Sequence, residues 1–553
     1  MTGKSGKTVM RIKLFLGALV VAASVCSVES PRVEGARAGG ADERAGRAVH
    51  VTPPEPVWDD AARLAELARR RARVAEFAGA KAVVVLFSGE PRVYAGDVDY
   101  EFRQENNLYY LTQLNQEGAT LVLMPGAAKY REVLFLPRRN PAAEVWTGHM
   151  YSPEEAYKLS GVGEIWDAAE FEPFMRGLRA RRIYRPKDEA ILLSQTSPPP
   201  AEATASAAGA EQPAPAQGGG GDALLAAMAQ GEASLFLLRT REDESREFRR
   251  EQNLAAEWAK SDRGLAIQNV LPAFTQMRQV KSPAELLLMQ HAVDITTEAL
   301  ERAMSVASGA RWEYEVEAEV DYTFKRRHAD NWGYPSIVGC GADATTLHYE
   351  ESEGRVSAGE LMLMDVGAEF RHYSADVTRT FPVSGRVSPA QGEIYNAVYA
   401  ASEAAMAAAR PGATLSEVHA AALASIRDSL LRLGLITDRN SSQYRLYFMH
   451  GTSHWLGMNV HDVGAGARRF EPGMVFTIEP GIYVRPDALD NLPKTPESQK
   501  FIDAVRPAFE KYKNIGVRIE DDVVITADGH RNMTAALPRS LQEVEATMAR
   551  LAR

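Results

Sequence analysis

Apolar positions along this chain follow two different periods. From Asp60 to Phe77 they recur at helical spacing among charged residues, which predicts an amphipathic helix. The short runs AVVVLF, TLVLMP and EVLFLP follow, interleaved with helical stretches, and predict the strands of an α/β unit. Further on, PAELLLMQHAVDITTEALERAM predicts a long amphipathic helix, with Ser282 as its N-cap and Pro283 in its first turn. Two more helices are expected, around Trp312 to Arg327 and Pro389 to Arg410. The rest of this second half reads as alternating strands and turns.

Two stretches carry no period at all. Glu29 to Pro54 is rich in Gly, Ala, Arg and Pro, and Gln195 to Asp222 contains SPPPAEATASAAGAEQPAPAQGGGG; neither composition can hold a packed core. Ordered patterns resume in SLFLLRT, so the second stretch reads as a loop insertion inside the first unit, tolerable because closure entropy grows slowly with length. Ahead of the first stretch, Lys4, Lys7, Arg11 and Lys13 precede an apolar run from Leu14 to Val25 and then small residues, which is the anatomy of a secretory leader. Cleavage after Ser24, Ser27 or Ala38 fits equally. The expected organisation is a signal peptide at 1–27, a disordered linker at 28–55, an α/β domain at 56–268 with an insertion at 195–222, and a second domain at 269–553. The leader implies an exported protein, periplasmic or secreted, or a cytoplasmic one if it is not functional.

A chain of 553 residues is longer than one core usually serves, in keeping with two domains. With 45% hydrophobic and 25% charged residues the composition is that of a soluble globular protein. A net charge of -10 without a long basic stretch excludes an electrostatic footprint for nucleic acid. Cleavage beyond Cys26 would leave Cys340 as the one thiol, so disulfides play no part in the expected fold.

The chemistry lies in the second half. Asp365, Asp376, His454, Glu479 and Glu520 sit in LMDVGAEF, YSADVTRTF, HGTSHWLG, FTIEPGIYV and GVRIEDDVV. Four carboxylates carry about four negative charges, which two divalent cations would balance. If LMLMDVGAEFRHYSADVTRTFPV folds as a hairpin centred between Phe370 and Arg371, Asp365 and Asp376 become cross-strand partners, a repulsive pairing unless a cation bridges it. His450, His454 and His461 share one short segment whose Gly451, Thr452 and Ser453 argue for loop or strand over helix. An imidazole beside carboxylates suits Mn, Co or Zn better than Mg or Ca. Glu479 and Glu520 each stand in an apparent strand with apolar neighbours on both sides, which favours ligation over solvent. Arg518, two residues before Glu520, shares its face and is placed to orient it.

These motifs resemble those of the metal-dependent peptidases of the methionine aminopeptidase, prolidase and aminopeptidase P family, in the same order Asp, Asp, His, Glu, Glu. YEFRQENNLYYLTQL and EVWTGHM resemble the amino-terminal domain that aminopeptidase P shares with prolidase, and HGTSHWLG resembles the aminopeptidase P form. The resemblance implies an α+β chain: a pita-bread catalytic domain preceded by a creatinase/prolidase-type α/β domain. It further implies that Asp365 binds one metal, that Asp376 and Glu520 bridge two, and that His454 and Glu479 complete the other site. His348 then steadies the developing oxyanion, His461 lines the substrate side, Glu479 is the general base, and His450, Tyr483 and Arg518 stand behind the ligands or against substrate. The implied activity is that of a Xaa-Pro aminopeptidase with two divalent ions, Mn(2+) first and Co or Zn possible, acting by metal-activated hydroxide on peptides that begin Xaa-Pro. A Xaa-Pro dipeptidase is the alternative, and a non-catalytic binding protein of the same fold the third reading. A homo-oligomer, dimer or tetramer, is also implied. Trp455, Tyr349 and Tyr483 are candidates for the proline pocket, and Asn459 departs from the family's usual Asp before Val-His-Asp.

Overall fold

The computed structural model describes residues 49–182, 184–195, 222–239, 248–259 and 266–552. The expected leader, most of the expected linker and the middle of the expected insertion lie outside the described residues.

The amino-terminal domain is built on a seven-stranded mixed sheet in the order Ile191–Ser194, Glu164–Asp167, Glu132–Leu136, Thr120–Leu123, Ala82–Phe87, Ser234–Leu237, Ala266–Asn269. Its central strand Ala82–Phe87 is buried at every position, as an unbroken apolar run predicts. Alternate side chains serve different cores: Val84 and Leu86 face one apolar cluster, Val83, Val85 and Phe87 the other. Helix Ala223–Gln230 and strand Ser234–Leu237 bring the chain back after the 195–222 stretch, and Ser234 pairs in parallel with Ala82. The stretch therefore leaves and re-enters the same domain.

In the second half, helix Pro283–Ala307 runs for 25 residues from a capping box in which Ser282 and Glu285 satisfy each other's backbone N–H. Helix Glu313–Arg326 packs beside it, and helices Pro389–Ala408 and Leu415–Arg432 form a second pair. Three short antiparallel groups carry the site: Ile337–Cys340 with Leu361–Val366 and Val377–Pro382; Val475–Ile478 with Asp521–Ile525 and His530–Asn532; and Gly481–Tyr483 with Gly516–Arg518. The expectation of strands and turns alone after Arg410 is corrected here. Helices Leu415–Arg432, Pro496–Tyr512 and Leu541–Leu551 also lie there, the second masked in the sequence by Pro507 within it.

The sequence boundary near 268 is not a break in packing. One apolar cluster runs from Val74, Leu108 and Leu111 through Leu288, Ala292 and Leu300. Arg70, buried on the first helix, pairs with Glu285 at 3.2 Å. The expected linker is also shorter than 28–55, because residues from 49 onward are seated on the long helix. His50 N–H donates to Glu301 (2.6 Å), and Thr52 donates its N–H (2.8 Å) and hydroxyl (2.7 Å) to the buried Glu298 carboxylate. No helix among the described residues is long and apolar enough to cross a membrane.

Candidate metal centre

Asp365 ends a strand interior and Asp376 stands just before the strand that pairs with it. The observed register sets Asp365 opposite Thr378 and Val366 opposite Val377, with a two-residue turn at Arg371 and His372. The expected direct pairing of the two aspartates is thus corrected by a one-residue shift of the hairpin centre. Since that shift moves the partner by two positions, both aspartates keep the same face. The hydroxyl of Tyr334 lies within hydrogen-bond distance of both, 2.5 Å from Asp365 and 2.6 Å from Asp376, and its one proton serves one of them at a time.

The two glutamates lie between strands instead of within them. Val475–Ile478 pairs with Asp521–Ile525, and Gly481–Tyr483 with Gly516–Arg518. Glu479 and Glu520 occupy the handover from one pair to the other, where the backbone turns both into the same cavity. The sequence Glu520-Asp521-Asp522 then divides its three carboxylates by strand alternation. Glu520 accepts the Thr378 hydroxyl at 2.7 Å, and Asp522 accepts the Asp376 N–H at 3.1 Å. Asp521 points the other way, to Arg379 and Arg539, both at 2.7 Å, and those guanidiniums hold it below the usual carboxylate range against the effect of burial.

Arg518 does not orient Glu520 directly, as its spacing suggested. It donates to Asp365, to the Tyr483 hydroxyl (2.9 Å) and to the Thr378 hydroxyl (3.0 Å), and so reaches Glu520 through Thr378. His454 turns Nε2 toward Asp376 Oδ2 at 3.1 Å and Glu479 Oε1 at 3.5 Å, while Nδ1 faces the Trp455 carbonyl at 3.2 Å. His450 places Nε2 2.9 Å from the Tyr483 hydroxyl. The His461 ring stands edge-on to His454 with centroids 4.4 Å apart.

All five expected ligands line one cavity of about 540 Å³, together with His348, His450, His461 and Arg518. Within it, ligand atoms of Asp376, His454 and Glu520 lie within 4.8 Å of one another. Asp365 joins them through the shared Tyr334 hydroxyl, and Glu479 through His454. Burial raises the carboxyls of Asp376, Glu479 (to about 7) and Glu520 (far up), reinforced by the charges of their carboxylate neighbours. His454 is raised as well: against burial, its hydrogen bond to Asp376 and the charges of Asp376 and Glu479 lift it to about 9, which favours its charged form. Carboxylate oxygens and one imidazole, crowded in a desolvated pocket with a single guanidinium, form a donor set that fits divalent cations and is repulsive without them.

The three aromatic candidates for the proline pocket do not line this cavity. Trp455 packs on Phe470 and Phe476, Tyr483 is held by Arg518 and His450, and the Tyr349 hydroxyl accepts the N–H groups of Glu353 and Gly354. Apolar lining comes from Pro335, Ile337, Leu347 and Val460. Tyr334, Thr378 and Asp522 escaped the sequence reading. The signal for Thr378 and Asp522 was their place two residues from a ligand on the same strand face; Tyr334 carried none.

Comparison with known proteins agrees with this geometry. Residues 287–527 match the model of metallopeptidase family M24, and residues 67–184 match the amino-terminal domain of aminopeptidase P. The chain is 31% identical to Xaa-Pro aminopeptidase of Escherichia coli, over 87% of this chain and 97% of the relative. The chain belongs to the aminopeptidase P family of M24 metallopeptidases. Xaa-Pro aminopeptidase 1 of Streptomyces coelicolor is 32% identical over 89% of this chain and 88% of its own length. Among solved structures, Escherichia coli aminopeptidase P with the inhibitor Pro-Leu superposes with a TM-score of 0.70 at 29% identity, covering 88% of this chain and 98% of that one. Pseudomonas aeruginosa aminopeptidase PepP gives 0.69 at 30% over the same shares. The second domain is therefore the pita-bread fold and the protein a hydrolase of the metallo-aminopeptidase class, as the motifs implied. Asn459, the departure from the family pattern, accepts a hydrogen bond from Asn106 of the amino-terminal domain at 2.7 Å.

Proposed function

We propose that the protein is a Xaa-Pro aminopeptidase that works with two divalent cations, manganese first and cobalt or zinc as substitutes, held by Asp365, Asp376, His454, Glu479 and Glu520. The observation that carries this reading is the near end-to-end match, through both domains, to relatives named Xaa-Pro aminopeptidase, with all five acid and imidazole groups facing one cavity. Divalent cations bound there supply a water acidified toward neutral pH and polarise the scissile carbonyl.

The chain's own residues provide the remainder. Tyr334 and Arg518 fix the carboxylates of Asp365 and Asp376, so their lone pairs are oriented before any cation arrives. Glu479 faces the cavity and takes the proton from the attacking water at a carboxylate oxygen. His348 and His461 line the same space and offer ring N–H groups to the oxygen on which negative charge develops. The acidic wall receives the substrate's free amino group, and Pro335, Ile337, Leu347 and Val460 offer apolar surface to the proline ring, whose nitrogen has no hydrogen to satisfy.

The test is hydrolysis of Ala-Pro-Ala, Ala-Pro and Ala-Ala-Ala by chelator-stripped protein before and after addition of Mn, Co or Zn. Release of alanine from Ala-Pro-Ala only after metal is the expected result. Cleavage confined to Ala-Pro would make it a Xaa-Pro dipeptidase, and full activity after complete stripping would contradict the metal mechanism. Export through the leader and assembly into a dimer or tetramer belong to the same reading. Exposed Val145 and Trp146, on a helix with no buried residue, are apolar surface that a second copy would cover. Cell fractionation and sedimentation check the two points.

A further inference from the structure

A second cavity, of about 270 Å³, adjoins the metal centre and shares His450 and Gly451 with its wall. Its other walls are His419, Tyr444, Arg445, Phe448 and Met449. None of these belongs to the metal centre. The Tyr444 ring has a guanidinium near it from each of two elements: Arg427 of helix Leu415–Arg432, 4.4 Å from the ring centroid, and Arg445 at 5.6 Å. Among the described residues neither arginine has a carboxylate within ion-pair distance, and Arg427 Nε is buried without a hydrogen-bond partner. The charges are felt locally: burial, then Arg427 and Arg445, hold the His419 imidazole below its usual range. In a chain of net charge -10, a guanidinium in this wall and a second one beside the wall's tyrosine, neither with a countercharge among the described residues, are unusual.

The geometry points to this cavity as a carboxylate-binding subsite that takes the negative end of the substrate, downstream of the proline. This rests on the aminopeptidase reading above. A short peptide is itself a dipole, and the two cavities present the matching polarity: acidic groups where its ammonium must lie, and on the far side of His450 the Arg445 guanidinium, with the Arg427 charge behind Tyr444. Arginine suits the task, since its planar fork meets a carboxylate with two parallel hydrogen bonds. Phe448 and Met449 supply apolar wall for the residue that carries the acid. The carboxylate could be the peptide's own terminus or a Glu or Asp side chain at the same distance from the proline, and the experiment separates these.

Metal-loaded full-length protein is assayed on the series Ala-Pro-(Ala)n, with n from one to four, as free acids and as C-terminal amides. A further set of amidated peptides carries one Glu at each position after proline. The expected result is a preference of about three- to tenfold in kcat/KM, mostly through KM, for the free acid at one length. The same preference should return for the amide that places Glu at that position. If only the Glu peptides show it, a side chain is the source; if only the free acids do, the terminus is. R445Q should bring the acid-to-amide ratio toward one, and R427Q, which removes the charge beside Tyr444, should lower it less, whereas R439Q, which disrupts the exposed pair with Asp428, should keep the wild-type ratio. Arg445 is exposed, so its replacement does not endanger folding. Acid and amide turned over equally at every length, or an R445Q ratio unchanged from wild type, overturns the subsite while leaving Xaa-Pro hydrolysis intact. No cleavage of any peptide in the series would instead refute the aminopeptidase reading.

Discussion

The hydroxyl of Tyr334 sits between two carboxylates and shares its one proton between them. Its single proton makes one buried, charge-assisted hydrogen bond at a time, and a bond of that kind contributes about 1.5–3 kcal/mol. Y334F should lower kcat/KM about tenfold by loosening Asp365 and Asp376, and lower the thermal midpoint by a few degrees for the lost bond; a variant with wild-type kinetics would show the hydroxyl to be dispensable. Far from the metal centre, Glu251 poses a different problem. Burial lifts its carboxyl to about 8, helped by the charge of Glu105. An unfolded Glu titrates near 4.3, so between that value and about 8 the folded state holds a proton that the unfolded state has lost. Its contribution to stability is full below about pH 4.3 and falls as pH rises through 8. E251Q should therefore match wild type near pH 4 and be more stable by up to about 5 kcal/mol at pH 9. Thermal midpoints across that range check the sign, and a gap that narrows as pH rises would contradict it.

Elements show where the sequence was legible and where tertiary packing decided. Long, regularly patterned pieces were plain: the helix expected from Asp60 runs Asp60–Ala78, the one expected from Pro283 runs Pro283–Ala307 behind its Ser282 cap, and AVVVLF is the strand Ala82–Phe87. The metal hairpin was legible as a hairpin but not in register. Its turn lacks the Asn-Gly or Gly signal of a two-residue loop, because Arg371 and His372 take φ of 47° and 66° themselves. What holds them there is tertiary. His372 stacks on Tyr109 at 3.7 Å and its N–H donates to Asp330, contacts that no local pattern announces. The glutamates were found by type and placed wrongly by structure, since a strand that changes partners at Glu479 reads in sequence as one continuous apolar run. The capping box of the long helix gives a clean test: S282A should cost about 1 kcal/mol and lower the thermal midpoint by a few degrees at most. An unchanged midpoint would mean that Glu285, held also by Arg70 and Tyr373, secures the helix start alone.

At the scale of the whole molecule, the amino-terminal domain supports the loop that carries His461. Arg103 donates to Glu369 and to the Met458 carbonyl, Asn106 to Asn459, and Asn107 accepts from Arg278, which pairs with Asp462. Residues 457–462 are thus gripped from the domain that holds none of the five candidate ligands. R103A and N106A should each lower kcat/KM about three- to tenfold with metal binding unchanged, and combining them should add less than the sum because both act on one loop. Full activity in the double variant would show that the loop stands unaided. All of this depends on the acid cluster being a metal site. The most direct measurement is equilibrium dialysis of chelator-stripped protein against Mn(2+), with D376N and E520Q in parallel. Two ions per chain for wild type and a loss of binding in both variants is the result this account predicts; no bound manganese at saturation, or binding that is indifferent to Asp376 and Glu520, would contradict it.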